Sequence, residues 1–310
     1  MSRLFIPFII YLLICLCCPV AETHAAFDDR FIGARAFAMG GAFTAVGNES
    51  DGLLVNPALI SSVTGRQFSA TTARLHLGLS DESAITQNLV SYAGSHLNNG
   101  GLGVLWKQLN AGGLYSENYG VVGIAKSYAF GTVDKRYLEL GTSVKLLNWD
   151  TAPTIGADGR VVEDLPGSRS LTFDGGIIFR PSANIPIALS VQNFNRPDIA
   201  SSESPATEHL PRQVTLGIGI LGMRSTWGMD LIFRQNQVDV RVGLEHQFRD
   251  GNLLLRGGFR LENLAWGTNL TLGGGYRPRK RFRIDYGVVF PISGIEGTLG
   301  SHRFSVVYDF

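Results

Sequence analysis

From residue 66 to the C-terminus, apolar and polar side chains alternate in short runs separated by turn-forming residues. Trp227, Met229, Leu231 and Phe233 fall on one face of such a run, with Thr226, Asp230 and Arg234 on the other. Val238, Val240, Val242, Leu244 and Phe248 then oppose Asp239, Arg241, Glu245 and Gln247, and Leu253, Leu255, Phe259 and Leu261 oppose Arg256, Arg260 and Glu262. Trp266, Leu270, Leu272 and Tyr276 oppose Asn269 and Thr271; Phe282, Ile284, Tyr286, Val288 and Phe290 oppose Arg283 and Asp285. A period of two sustained over about ten residues predicts strands long enough to cross a membrane at a tilt. Less regular runs at 67–78, 85–96, 101–109, 118–128, 136–148, 170–180, 186–195 and 212–221 bring the expected total to about 14, an even number as single-chain bacterial barrels have.

A soluble sandwich also alternates, with one face in a core and the other in water. Two details favour hydrocarbon outside the wall. Trp227, Trp266, Tyr276, Phe282, Phe290 and Tyr308 sit near the ends of the apolar faces, as an interfacial girdle requires. The polar faces carry charges of both signs at mid-strand, which suits a wet lumen. The last run has Phe304, Val306, Tyr308 and Phe310 on one face and Arg303, Ser305 and Asp309 on the other. Chain ends fray unless tied down, and a closed barrel ties its last strand to its first. These four residues are also the expected signal for the outer-membrane insertion machinery.

Connection lengths agree with a barrel. With the N-terminus in the periplasm, the two longest connections, 149–169 and 196–211, fall outside. The short ones at 98–100, 181–184, 222–224, 249–252 and 277–280 fall on the periplasmic side. The expected architecture is a signal peptide over 1–25, an inner plug or hatch segment over 26–65 and an outer-membrane β-barrel over 66–310.

The leader reading rests on the basic start Met1-Ser2-Arg3, the apolar run Leu4 to Cys18 and the small residues near Ala25. Cys15, Cys17 and Cys18 all lie within it, so the mature chain has no thiol chemistry and no disulfide. Formal net charge is +1, which offers no case for a nucleic-acid partner. No metalloprotease, P-loop or nucleophile-elbow motif occurs, and the scattered histidines His76, His96, His209, His246 and His302 have no metal-ligand spacing. An enzyme, a cofactor and a metal site are therefore not expected. Asn48, Glu49 and Asp51 read as a solvated polar turn rather than a calcium loop. The glycines at 257–258 and 273–275 lie inside strands, where they mark bends or close packing.

The charges expected on the inner face are Glu139, Lys145, Asp174, Arg180, Asp230, Arg234, Asp239, Arg241, Glu245, Arg256, Arg260, Glu262, Arg283, Asp285 and Arg303. Mixed signs suit a ladder of ion pairs that stiffens the wall and seats the inner segment. A selectivity ring would carry one sign.

Residues 27–65 do not alternate. Gly33, Gly40, Gly41 and Gly47 permit close backbone approach, and Phe37, Met39 and Phe43 supply apolar anchors. The stretches Gly33-Ala34-Arg35-Ala36, Met39-Gly40-Gly41-Ala42-Phe43-Thr44-Ala45-Val46 and Asn56-Pro57-Ala58-Leu59 resemble the N-terminal signature of the PorV/PorQ family. That family is related to the FadL-type outer-membrane transporters for hydrophobic compounds. The aromatic residue before the Asn-Pro-Ala step and the glycine after it, common in the family, are absent here. The resemblance implies a barrel in the outer membrane, in contact with its lipid, that passes a hydrophobic ligand through an apolar pocket near the outer loops. Phe37, Met39, Gly40, Gly41, Phe43, Asn56 and Pro57 would form the hatch. It also implies an alternative, a component of type IX secretion that escorts secreted proteins through loops 149–169 and 196–211. A purely structural barrel is the third reading.

Overall fold

The computed structural model describes residues 27, 32–78, 84–131, 136–155, 160–163, 166–235, 237–248, 251–262, 267–293 and 298–310. The expected leader and Trp266 lie outside them. Strands β1 (Arg66–Leu75), β2 (Ile85–Leu97), β3 (Gly100–Ala111), β4 (Tyr115–Phe130) and β5 (Arg136–Thr151) are followed by a small hairpin, β6 (Thr154–Ile155) and β7 (Val161–Glu163). Nine more strands complete the series: β8 (Ser168–Ser182), β9 (Ile185–Gln192), β10 (Gln213–Leu221), β11 (Ser225–Arg234), β12 (Gln237–Phe248), β13 (Leu253–Glu262), β14 (Gly267–Arg279), β15 (Phe282–Pro291) and β16 (Ser301–Asp309). All but β6 and β7 form one closed antiparallel barrel of fourteen strands. The register between β1 and β16 runs from Gln67 opposite Asp309 to Arg74 opposite His302. Phe310 N donates to Arg66 O at 2.9 Å, so the chain end is tied to the first strand. Closure leaves no unpaired strand edge.

The two faces of the wall differ in the sense hydrocarbon demands. Trp227, Met229, Phe259, Leu272, Phe290 and Phe304 point outward and are exposed, while Asp230, Asp239, Glu245, Arg256, Asp285 and Arg303 are buried inside. A soluble sandwich would do the reverse, because charged side chains are almost never buried at the expense of apolar ones. Of the expected girdle, Trp227, Tyr276, Phe290 and Tyr308 are exposed and Phe282 is half-buried.

One rim carries short turns. Between β2 and β3, for example, Asn99 takes a φ of 56° ahead of Gly100, the backbone that an Asn-Gly hairpin turn needs. The other rim carries the long connections, and two differ from expectation. β5 continues to Thr151 because Trp149 and Thr151 still pair with β4, and the β6–β7 hairpin follows. The connection after β9 stays at this rim, with 202–207 exposed, but its flanks turn inward: Ile199 and Leu210 are buried, with Trp149 Nε1 donating to Ile199 O at 2.8 Å. Apolar side chains on a loop over a lumen gain more by turning in than by facing water.

Residues 32–63 lie within the barrel. They form a short helix, α1 (Ala34–Ala38), and two 3₁₀ turns, Ser50–Leu54 and Pro57–Ser62. Almost every side chain here is buried.

Candidate functional site

The inner segment begins with α1, which ends where Gly40 and Gly41 take φ values of +66° and +74°. That left-handed backbone is strained for any other residue, and it turns the chain across the lumen. Arg35 on α1 is the centre of the attachment. Its Nε and Nη2 donate to Glu245 at 2.8 Å each, and its Nη1 donates to Glu49 at 2.9 Å. Arg256 joins Glu245 to Asp285 at 2.6 and 2.7 Å. Arg283 joins Asp285, at 2.6 Å, to Glu49. Three guanidinium groups and three carboxylates thus alternate in a closed ring linking the inner segment to β12, β13 and β15. Burial opposes the charge on Arg35, but Glu245 and then Glu49 outweigh it and hold the guanidinium above its ordinary pKa. Burial likewise opposes the Glu49 charge, and Arg283 and Arg35 outweigh it to hold that carboxyl below the usual range.

Further ties run along the same half. Phe37 lies between two guanidinium groups, Arg303 at 3.7 Å and Arg260 at 5.3 Å from its ring centre. Arg260 Nε donates to Gly40 O at 2.8 Å, Thr271 Oγ1 to Ala38 O at 2.8 Å, and Ala34 N to Ser305 Oγ at 2.8 Å. Asp230 Oδ2 accepts from Phe43 N, Thr44 N and Thr44 Oγ1. Asp51 accepts from Gly33 N at 2.7 Å and so joins the start of α1 to the first 3₁₀ turn. Its burial, then the charge of Glu49, push its pKa up to about 7. Glu49 and Asp51 are therefore not a solvated turn, as the sequence suggested; both are buried.

The second half is held differently. Asn56 caps the second 3₁₀ turn, its Oδ1 accepting from Ala58 N at 3.0 Å, while its Nδ2 donates to Thr44 O at 3.1 Å. Pro57 follows at the first position, where its missing N–H costs nothing. Leu53, Leu59 and Ile60 are fully buried. Polar contacts here are neutral ones from the wall: Ser190 Oγ donates to Val55 O at 2.8 Å and Gln192 donates to Leu54 O. The exception is Ser62, which donates to Glu139, the partner of Arg180.

The wall makes room with glycine. Gly228, Gly243 and Gly258 are neighbours across β11, β12 and β13. A Cβ on Gly228 would lie 2.5 Å from Ala42 O, and one on Gly243 or Gly258 would overlap the backbone of Met39 or Gly40. Opposite, Gly141 and Gly176 leave space for Asn56, Pro57 and Ala58. The inner segment therefore packs backbone to wall.

Above it, toward the long-loop rim, lies a chamber of about 80 Å³ that opens into a wider mouth. Phe27, Ile32, Leu54, Tyr119, Leu210 and Ile232 form its apolar surface; Lys107, Lys145, Arg234, Arg241 and Asp230 form a charged one. Lys145 pairs with Asp174 at 2.9 Å, and Arg234 with Asp239 at 2.9 Å. Lys107 lies 4.4 Å from the centre of the Tyr119 ring. The chamber is thus half polar, where the resemblance implied an apolar pocket. The reason is the alternation itself, which turns most mid-strand charges inward.

Phe37, Met39, Gly40, Gly41, Phe43, Asn56 and Pro57 all lie inside the barrel and are buried. Of the charges expected inside, Asp230, Asp239, Arg241, Glu245, Arg256, Arg260, Arg283 and Asp285 are buried and Arg234 is half-buried. The ring brings Glu245, Arg256, Arg283 and Asp285 together with Arg35 and Glu49, two partners that the strand pattern did not mark. The close packing expected at glycines 257–258 and 273–275 holds at Gly258 and Gly273, while Gly228, Gly243, Gly141 and Gly176 carried no such signal. Phe304, Tyr308 and Phe310 are exposed on the outer wall, with Val306 half-buried beside them.

No protein family's sequence pattern matches the chain, and no curated protein resembles it in sequence. Solved structures do resemble it. The toluene transporter TbuX of Ralstonia pickettii is 15% identical and superposes with a TM-score of 0.62 over 91% of this chain and 99% of its own. The monoaromatic hydrocarbon channel CymD is 13% identical, with a TM-score of 0.63 over 92% of this chain and 99% of its own. A FadL homologue of Pseudomonas aeruginosa is 11% identical, with a TM-score of 0.56 over 90% and 98%. The chain has the closed fourteen-stranded fold of the FadL-like barrels of the bacterial outer membrane.

Proposed function

We propose that the chain passes a hydrophobic small molecule across the outer membrane, using the chamber as its binding site and the inner segment as its plug. The observation that carries this reading is the position of the chamber. It is floored by Gly41, Thr44, Leu54 and Val55 of the inner segment and roofed by Leu210 and Pro211. The similarly folded TbuX and CymD, a toluene transporter and a monoaromatic hydrocarbon channel, support it. The lining favours a guest with an apolar body and a polar end. The body packs against Phe27, Tyr119 and Leu210, and the end faces Lys145 and Arg241.

Loosening the attachment tests the plug. Uptake of a labelled fatty acid into liposomes is expected to be faster through an Arg35→Gln protein, in which the links to Glu245 and Glu49 are opened, than through the wild type. Equal uptake by the two folded proteins removes the proposal.

A second reading, escort of secreted protein as in PorV-type factors, draws support from the β6–β7 hairpin. Val161 and Val162 there are 59% and 70% exposed beyond the barrel. Recovery of secreted protein on the intact chain, lost when both valines become serine, is the expected result, and no recovery rejects it. In either reading, Phe304, Val306, Tyr308 and Phe310 serve as the insertion signal. Deleting Phe310 should lower the amount of folded, heat-modifiable protein in the membrane, and unchanged amounts would refute that role.

A further inference from the structure

The turn joining β14 to β15 concentrates positive charge at the short-turn rim. Arg279, Lys280 and Arg281 are consecutive and exposed, and among the described residues no side-chain hydrogen bond or ion pair occupies any of them. The register explains where Arg279 goes. Tyr276 pairs with Ile284, but Arg279 pairs with Phe282, so a bulge lies between Tyr276 and Arg279. In an unbroken strand Arg279 would share the inward face of Gly273 and Gly275. The bulge shifts it to the face of Phe282, which is the outer face of the wall, as bulges re-aim side chains. Phe282 in turn pairs with Tyr308, and a cleft lies between the three cations and these two rings. Cations thus sit on the membrane side of the barrel, at its edge, directly beside the apolar band.

We propose that this turn is a binding site for an anionic phospholipid, with the phosphate held by Arg279, Lys280 and Arg281 and an acyl chain lying along Phe282 and Tyr308. Charge complementarity selects the occupant. Three unpaired cations at a headgroup level attract anionic lipid, and guanidinium groups match phosphate oxygens in bidentate geometry. The adjoining rings require the ligand to carry an apolar part, which a free phosphate or a soluble acidic protein lacks. The assignment rests on the reading of the barrel as a membrane protein, but not on what it transports.

The test is retention of lipid by the full chain. Protein from mixed micelles of detergent with phosphatidylcholine and cardiolipin is examined by native mass spectrometry as detergent is removed. The wild type is expected to retain cardiolipin over phosphatidylcholine by about tenfold, and Arg279→Gln/Lys280→Gln/Arg281→Gln should abolish the preference. Arg224→Gln, a lone exposed cation on another turn of the same rim, should leave it intact. Gel mobility before and after heating verifies that each variant is folded. Equal retention of both lipids by the wild type overturns the proposal, as does a preference that survives the triple substitution. Uptake measured on the same proteins separates the readings: a wild type that transports but shows no lipid preference removes this site alone, and a wild type that keeps the preference but does not transport removes transport alone.

Discussion

Residues 33–44 of the inner segment meet the wall through charge, whereas residues 50–62 meet it mainly through apolar side chains and neutral hydrogen bonds. The first half faces β11 to β16, where Glu245, Arg256, Arg260, Arg283, Asp285 and Arg303 converge on α1 and the turn after it. The second half faces β2 to β5, β8 and β9, where Leu53, Leu59 and Ile60 pack and Ser91, Ser190 and Gln192 make neutral hydrogen bonds. The difference matters for any movement. Apolar packing weakens gradually with area lost. A closed ring of buried charges does not, because opening one link strands its neighbours in a place with little water. Opening the charged half is therefore all-or-none, whereas the apolar half loosens by degrees.

The comparison can be broken at its strongest point first. Glu245→Ala leaves Arg35 and Arg256 without their shared partner and should cost about 3–5 kcal/mol. It is expected to lower the heat-unfolding midpoint and raise hydrogen exchange over 33–44 while 50–62 stays protected. Exchange rising equally in both halves would show that they move as one piece. Leu53→Ala, at a fully buried position packed with wall residues of β2 to β5, should cost about 3 kcal/mol, with the exchange pattern reversed.

Gly258→Ala probes the wall rather than the segment. The added methyl would overlap Gly40 N and Met39 C, an overpacking worth about 1–3 kcal/mol, and should raise single-channel conductance by displacing the turn. Gly274→Ala, whose Cβ would find Leu254 O at 3.5 Å as its nearest neighbour, is expected to leave stability and conductance unchanged. Equal effects from the two would mean that the inward glycines are not there for the inner segment.

The smallest effect is one of pH. Asp51 binds the two halves together, and its pKa is raised from 3.8 to about 7 in the fold. The folded chain thus keeps a proton that the unfolded chain releases near pH 4. The stability this contributes is present in acid and is lost as pH rises through about 7. Asp51→Asn keeps an acceptor for Gly33 N and removes the titration. Its unfolding midpoint should depend less on pH between about 4 and about 7, and an unchanged dependence would rule Asp51 out as the source.

Much of the wall was legible in the chain, and some of its contents were not. Alternation at 226–234 and 282–290 is a local property: adjacent side chains point to opposite faces whatever lies beyond them, so β11 and β15 follow within a residue or two. Glu49 and Asp51 had no such signature. Two acids beside Asn48 and Gly52 read as a wet turn, since nothing nearby in sequence reveals that Arg35 and Arg283 will meet Glu49. Ile199 and Leu210 likewise look like members of an outward loop until Trp149 and the lumen are placed beneath them.

Local alternation alone specifies a barrel with apolar residues outward, charges inward and a C-terminal strand to close it. A period of two needs only neighbouring residues to be read. Which charges pair, how the inner segment divides into a charged and an apolar half, and why the chamber is half polar were decided only in three dimensions. Those properties depend on residues such as Arg35 and Glu245 that stand 210 positions apart and meet only when the fourteenth strand closes on the first.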